Sequence, residues 1–424
     1  MRDFFPRRFT AGWLCTLFML APTFANRTRG DEPSWTGWLG ADRSGQITEF
    51  APPRDWPDEL ELVWEKEIGE GYASPIVRNG NIFLHSRIGD EEVLSCLTLS
   101  TGEIQWQNKK PIPFKVGGGG EDHGAGPKAA PFLLQDRIFT MSINGVLTAW
   151  DANSGKELWE VDRSNQFEGR KTPYWGATAS PIAQNGIVYA HFGNDDDGFL
   201  EAVDVGSGEP VWRAKERVGA AYSSPLILKI EGVEQLVEWN HLGLASHDLL
   251  SGQQLWFYEF AHTGTNQNMP TPNYASGRIF VGGENRGVRC IEPKLDNGTW
   301  SVNEVWQQKR AAFNMSTAVV NGELLFGLSH YSSNQLCCID LASGEIRWKG
   351  RGRVGENATF LSWGNLVAAL LDNGNLQFIE ATGGSYVPRA SYQVSERPTW
   401  SAPAILPGGM LIKDESHLLH FRLP

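Results

Sequence analysis

The residues best placed to do chemistry follow a glycine run. Positions 117–120 are all glycine, and Asp122-His123-Gly-Ala-Gly-Pro-Lys128 follows them after Glu121. An acid, an imidazole and an ammonium within seven residues can donate, accept or hold an anion, and four glycines leave their lead-in with little side chain to pack. A second polar run, Asn194-Asp195-Asp196-Asp197-Gly198, has the carboxylates for calcium. It lacks the alternating ligand spacing and the distal Glu of a dedicated calcium loop, so a solvated turn is expected. His241 with His247, and His417 with His420, are not spaced as zinc ligands on a helix. No Ser-His-Asp set and no carboxylate pair can be read from linear order. Neither catalytic nor metal-binding residues are therefore assigned.

The elements that must position these groups repeat. Trp150-Asp151-Ala-Asn-Ser154-Gly155-Lys-Glu-Leu-Trp159 reads as a strand, a tight turn and a second strand. The unit recurs as Asp204…Ser207-Gly208…Trp212, Asp248…Ser251-Gly252…Trp256 and Asp340…Ser343-Gly344…Trp348, with a looser copy at Thr101-Gly102…Trp106. A stretched copy runs from Glu292 through Asn297-Gly298 to Trp306, and a decayed one, Glu380…Thr382-Gly383, has Val387 in the Trp position. Tryptophans 64, 106, 159, 212, 256, 306 and 348 are 42 to 53 residues apart. Repetition at such a period marks a fold built from one supersecondary unit.

Each unit holds four strand-like pieces, for example 179–183, 187–192, 199–205 and 209–214. Asn-Gly at 79–80, 185–186 and 321–322 signals a hairpin between the first two, and no 3.6-residue apolar stripe competes. Four-stranded antiparallel units at this period are propeller blades. Seven complete sets end near Trp106, Trp159, Trp212, Trp256, Trp306, Trp348 and Val387, and three more pieces follow at 401–406, 410–413 and 417–422. The missing strand stands at the other end, at 62–65. The expected fold is all-β, an eight-bladed propeller over residues 61–424 closed by its N-terminal strand, which leaves no open edge. Seven blades with a loose tail is the alternative.

Asp-x-x-Ser-Gly-x-x-x-Trp resembles the tryptophan-docking repeat of pyrroloquinoline-quinone-type propellers, over nearly all of the chain from Leu62 onward. Trp35-Thr-Gly-Trp38-Leu-Gly-Ala-Asp-Arg43-Ser-Gly45 resembles the N-terminal arm of exported bacterial members. The resemblance implies either of two functions. One group consists of cofactor-free propellers, including the outer-membrane barrel-assembly lipoprotein; the other consists of quinoprotein alcohol dehydrogenases, which hold pyrroloquinoline quinone with calcium. No set here matches the second group's catalytic Asp and its Glu and Asn calcium ligands, and the chain lacks the insertions that cap their cofactor. Methanol-oxidising members carry an adjacent-cysteine disulfide on a loop, whereas Cys337-Cys338 lies within a strand, where neighbours point to opposite faces. Cys96, Cys290 and Cys338 share one repeat position with Ala149, Ala202 and Ser246, which suits a small packed side chain rather than a bridge.

Residues 1–25 read as a secretory signal peptide: Arg2, Arg7 and Arg8, an apolar run too short to span a bilayer, then small residues. Removing them takes the net charge from −12 to −14, through the loss of three Arg and one Asp. An acidic body without a basic stripe excludes nucleic acid as a partner. Residues 26–60, rich in Pro and Gly with Trp35, Trp38 and Trp56, are expected as an extended arm. The mature protein is expected to be a periplasmic or extracellular monomer with no membrane span.

A site is expected where the longer inter-blade connections open around the channel, since long loops on a rigid scaffold carry function. Tyr72, His123 with Lys128, Trp175, Tyr222, Asn268, Asn314, Asn357 and Trp400 come just before the innermost strands of successive blades. They should ring the channel mouth, either as a ligand site or as groups that bond strand ends and water. The function expected is a non-catalytic module that binds an envelope protein, peptide or glycan there without a cofactor; the alternative is a quinone-dependent alcohol dehydrogenase.

Overall fold

Eight four-stranded antiparallel sheets account for nearly all regular structure in the computed structural model, which describes residues 1, 34–264, 267–331 and 333–424. Residues 2–25 of the expected signal peptide and the first eight residues of the expected arm lie outside the described residues. Blade 1 consists of Ile76–Arg78, Asn81–Ile88, Glu91–Thr98 and Ile104–Pro111, ordered outward from the channel, and blades 2 to 7 repeat that plan. Blade 8 takes Ala404–Leu406, Gly409–Lys413 and His417–Arg422 from the C-terminus and Leu62–Glu67 from the N-terminus. The closing strand is antiparallel, with Leu62 opposite Phe421 and Glu65 opposite Leu419, and Glu61 pairs with Arg422 at 2.7 Å.

The repeat motif explains itself locally. Asp151 Oδ1 accepts the Ser154 N–H at 2.8 Å and the Ser154 hydroxyl at 2.7 Å, and the same pair of bonds recurs at Asp204, Asp248 and Asp340. Gly155, Gly208, Gly252 and Gly344 follow with φ near +70°. A second reason for glycine is the neighbouring blade. A Cβ on Gly252 would lie 2.3 Å from the Trp212 ring, and one on Gly155 would lie 2.4 Å from Trp106. The indole N–H then completes the weld: Trp64 donates to Leu99 O, Trp159 to Val205 O, Trp212 to Leu249 O, and Trp306 to Leu341 O, all at 2.9–3.0 Å. Trp256 is followed by the blade with the stretched turn at Asn297-Gly298, and it donates instead to Gln235 Oε1 within its own blade at 2.8 Å.

The docking Trp of blades 1 to 6 each faces a small residue across its own sheet, Cys96, Ala149, Ala202, Ser246, Cys290 or Cys338, whereas Trp64 of blade 8 faces His420. Blade 7 reverses the sizes, with Phe378 opposite Ala390, and Trp56 of the arm stacks on Phe378 at 4.1 Å. All four described cysteines are buried free thiols. Cys337 and Cys338 face different inter-blade cores, and burial pushes both up to about 12.

The arm does more than lie on the body. Trp35 bridges Val77 of blade 1, Thr36 O accepts Leu133 N of blade 2, and Gln46–Ile47 adds a parallel fifth strand to blade 7 beside Ser362 and Trp363. Between these contacts Arg43 is buried, and its guanidinium donates to the carbonyls of Ser180, Pro181 and Pro225 at the start of blades 3 and 4. The arm therefore crosses the channel and closes it. The innermost strands are shorter than expected. The piece at 179–183 begins only at Ile182 and that at 401–406 only at Ala404, because Pro181 and Pro403 have no N–H to give to a ladder.

Candidate functional site

The residues that stop those strands early form a belt. Ala130 N donates to Ser180 Oγ, Ser180 N to Ser224 Oγ, Ser224 N to Thr271 Oγ1 and Thr271 N to Thr317 Oγ1, each at 2.9–3.0 Å. Across the seam Ala402 N donates to Ser74 Oγ at 2.8 Å. Five of the eight blade junctions, 2–3, 3–4, 4–5, 5–6 and 8–1, are thus tied through one small hydroxyl. This belt was not among the groups expected at the mouth, although Ser74-Pro75, Ser180-Pro181, Ser224-Pro225 and Thr271-Pro272 mark it at the period of the repeat.

Above the belt lies a cavity of about 480 Å³ at the channel mouth. Tyr72, His123, Lys128, Trp175, Tyr222, Asn314, Asn357 and Trp400 all line it. Asn268 does not, and its place is taken by Met269. The Asn268 side chain is fully buried in the opposite direction, where it donates to Asn240 O at 2.7 Å and accepts from Arg286 at 2.7 Å. An arginine 18 positions later in the chain claims the amide, which its own repeat position does not reveal. Trp38 of the arm forms the floor, and Met315, Glu284 and Glu356 complete the wall. None of these four was singled out from sequence. Trp38 belongs to no repeat, and the others sit beside, rather than at, the aligned positions.

The wall has two characters. On one side Trp400 meets His123 edge-on with centroids 4.4 Å apart, Tyr72 stands 6.4 Å from His123, and Trp175 packs against Tyr222 at 5.6 Å. Facing them, blades 5 to 7 contribute Met269, Asn314, Met315, Glu284, Glu356 and Asn357, whose Oδ1 accepts the Ser316 hydroxyl at 2.7 Å. Residues 117–120 lie over the aromatic side. A Cβ on Gly117 would meet Tyr174 at 2.5 Å and one on Gly120 would meet Trp175 at 2.4 Å, so only glycine lets this loop approach the rings.

Burial lowers the Lys128 ammonium to about 8, and Lys128 makes no ion pair among the described residues; its Nζ donates to Gly124 O at 3.1 Å. Burial, and then the charge of Lys128, push His123 below the ordinary imidazole value. Tyr72 and Tyr222 are pushed far up by burial and stay protonated. Tyr72 Oη and Trp175 Nε1 are shielded from water with no hydrogen-bond partner among the described residues.

This chemistry suits recognition. The belt hydroxyls are engaged as acceptors, and the mouth offers rings, amides and a lone ammonium. Pyrroloquinoline quinone is a planar tricarboxylate, and its neutralisation calls for several cations. The wall supplies one, Lys128, and opposes it with Glu284 and Glu356, so the donor set does not fit that cofactor. Among the described residues no three His, Cys, Asp or Glu side chains gather to hold a metal ion, and no helix is long and apolar enough to cross a membrane. The acidic run at 194–198 is a turn: Asn194 Oδ1 accepts the N–H groups of Asp196 and Asp197, and Asp197 pairs with Arg217.

Comparison with known proteins gives a concordant picture. A family model described as the outer membrane protein assembly factor BamB matches residues 109–350. The BamB protein of Yersinia pestis is 23% identical over 349 residues, covering 78% of this chain and 82% of that protein. Among solved structures, BamB from Moraxella catarrhalis superposes with a TM-score of 0.61 at 13% identity, over 86% of this chain and 97% of the other. The quinohemoprotein alcohol dehydrogenase of Comamonas testosteroni superposes with a TM-score of 0.66, also at 13% identity, over 92% of this chain and 80% of the other. At such identities the two superpositions concern the fold alone.

Proposed function

Since the chain belongs to the family of the outer membrane protein assembly factor BamB, we propose that it is a non-catalytic, exported propeller that binds envelope proteins through its channel mouth. The observation that carries the reading is the ring itself. Seven of the eight blades place an aromatic, basic or amide side chain from the repeat-aligned set around one cavity, and the eighth places Met269 there. A pocket closed below and lined by rings and polar groups holds a side chain or an extended segment of a partner. The names of its relatives support a protein partner over a glycan, although Trp175 and Trp400 would also stack on a sugar face. In this reading residues 1–25 direct export to the periplasm or beyond, 26–60 form the arm that floors the site, and 61–424 form the propeller. The protein works as a monomer without a cofactor.

The test is capture from the envelope. A photocrosslinking residue placed at Asn314, on the wall facing the aromatics, should trap defined envelope proteins in cells. The same probe combined with Trp175→Ala should lose them. Equal crosslinking with and without Trp175 would remove the mouth from the interaction. Quinone binding is tested by adding pyrroloquinoline quinone and calcium to purified protein and recording the absorbance spectrum after desalting. A retained quinone chromophore would revive the dehydrogenase reading.

A further inference from the structure

A second space opens beside the mouth, and its charge has the opposite sign. It is a cleft of about 600 Å³ between the connection from blade 1 to blade 2 and the connection from blade 2 to blade 3. Lys115, Arg170 and Lys171 line it, against one carboxylate, Asp162. Arg170 lies 4.0 Å over the Tyr174 ring, and Lys171 Nζ donates to Phe167 O. Among the described residues none of the three cations forms an ion pair, and Lys115 has no polar partner at all. The nearby carboxylates are engaged elsewhere or stand off. Asp162 accepts the Ser164 N–H at 2.7 Å, Glu121 accepts the Gly119 N–H at 2.7 Å, and Asp195 feels the Arg170 charge without pairing with it. In an acidic protein, unpaired cations sharing one cleft are a local exception, and they concentrate anions there.

A glycine loop separates this cleft from the mouth. Gly117 and Gly118 line the cleft and Gly119 lines the mouth, just as Tyr174 belongs to the one wall and Trp175 to the other. Two residues of an extended chain, about 7 Å, therefore cross the partition. No side chain rises from residues 117–120 to bar the way. Phe114, Val116 and Pro173 add apolar wall to the cleft, which a polypeptide covers and a bare anion does not.

We propose that cleft and mouth form one groove for an extended polypeptide, whose acidic side chains lie among Lys115, Arg170 and Lys171, two or three positions from the residue that enters the mouth. The assignment rests on the mouth being the binding site. Glu284 and Glu356 on the far wall of the mouth repel the acidic stretch that the cleft attracts, so the order of charges along the segment sets its direction in the groove.

Calorimetric titration of the full mature protein with N-acetyl-Glu-Ser-Glu-Ser-Glu-Ser-amide and its Gln counterpart tests the cleft. The acidic peptide should bind about tenfold or more tighter at low salt and lose most of that advantage at about 0.5 M salt. Lys115→Glu combined with Lys171→Glu should erase the preference at an unchanged melting temperature, since both side chains are exposed. Equal binding of the two peptides, binding of neither, or a preference that survives the double reversal overturns the acidic assignment. Cosedimentation with phosphatidylglycerol vesicles in place of peptide binding overturns it too, in favour of a membrane surface. Continuity is read in cells: a photocrosslinking residue at Asn144, on the cleft wall, should trap the same envelope protein as one at Asn314. Trapping at Asn314 alone overturns the shared groove and leaves the mouth reading intact. Trapping at Asn144 alone, or at neither position, overturns the groove and the mouth reading together.

Discussion

The outer rim and the channel mouth use the same kinds of side chain to opposite ends. At the rim Trp64, Trp159, Trp212 and Trp306 are each answered twice, by a glycine under the ring and a carbonyl at the N–H, as for Trp212 with Gly252 and Leu249 O. At the mouth Trp175 meets Gly120 of a loop and Tyr222 of the next blade, yet its N–H finds no partner among the described residues. These four contacts each join two blades, so their energy is stability. The mouth contacts border a cavity, so part of their bonding capacity is left for something else. Proteins commonly leave such unmet needs where they bind.

The largest expected effect concerns the seam. Deleting residues through Lys66 removes the outer strand of blade 8, the Trp64 weld and the arm that closes the channel. The truncated protein should aggregate or unfold far below the parent temperature; a melting curve like the parent's would break the closed-ring account. Next comes the rim itself. Trp212→Ala empties a buried inter-blade slot and should cost about 3–5 kcal/mol, read by chemical denaturation. A loss no larger than that at an exposed site would show that the welds are decorative.

The mouth should answer differently. Trp175→Ala, Trp400→Ala and His123→Ala are expected to lose about 1 kcal/mol or less of stability, since each faces a cavity and is only partly buried, while partner capture is abolished. Measuring the melting temperature and the pull-down together on each variant sharpens the contrast with Trp212. Early unfolding with intact capture would make the ring scaffold.

The smallest effect belongs to the repeat turns. Asp151 and Asp204 are held below the ordinary carboxylate range by the hydroxyls of Ser154 and Ser207 and then by the turn N–H groups; for Asp340 the Ser343 N–H comes first and its hydroxyl second. A carboxylate whose folded value is depressed contributes stability that is complete above the unfolded value, about 4, and is lost as pH falls below it. The melting temperature of the native chain should therefore fall more steeply below pH 4 than that of an Asp151→Asn, Asp204→Asn, Asp340→Asn variant, and the two curves should run parallel above pH 5. Parallel curves throughout would mean that these turns do not depend on their charge.

The propeller was legible in the sequence because its signals are short-range. Asp, Ser, Gly and Trp within nine residues build a turn whose bonds span three or four positions, and that turn carries its own weld partner into each blade. Even the closure could be read, since a lone strand at 62–65 answers a three-stranded remainder at the other end. The mouth was legible only as far as repeat alignment carries. Alignment places a backbone position at the channel; which way a side chain leaves it depends on distant neighbours, and Arg286 turned Asn268 away. The arm lay beyond alignment altogether. That Arg43 crosses the channel to the carbonyls of blades 3 and 4, and that Trp38 floors the site, follows from contacts more than a hundred residues apart in the chain. Local chemistry determines the blade, whereas only the closed ring decides which groups share a cavity, because that cavity exists only once all eight blades have met.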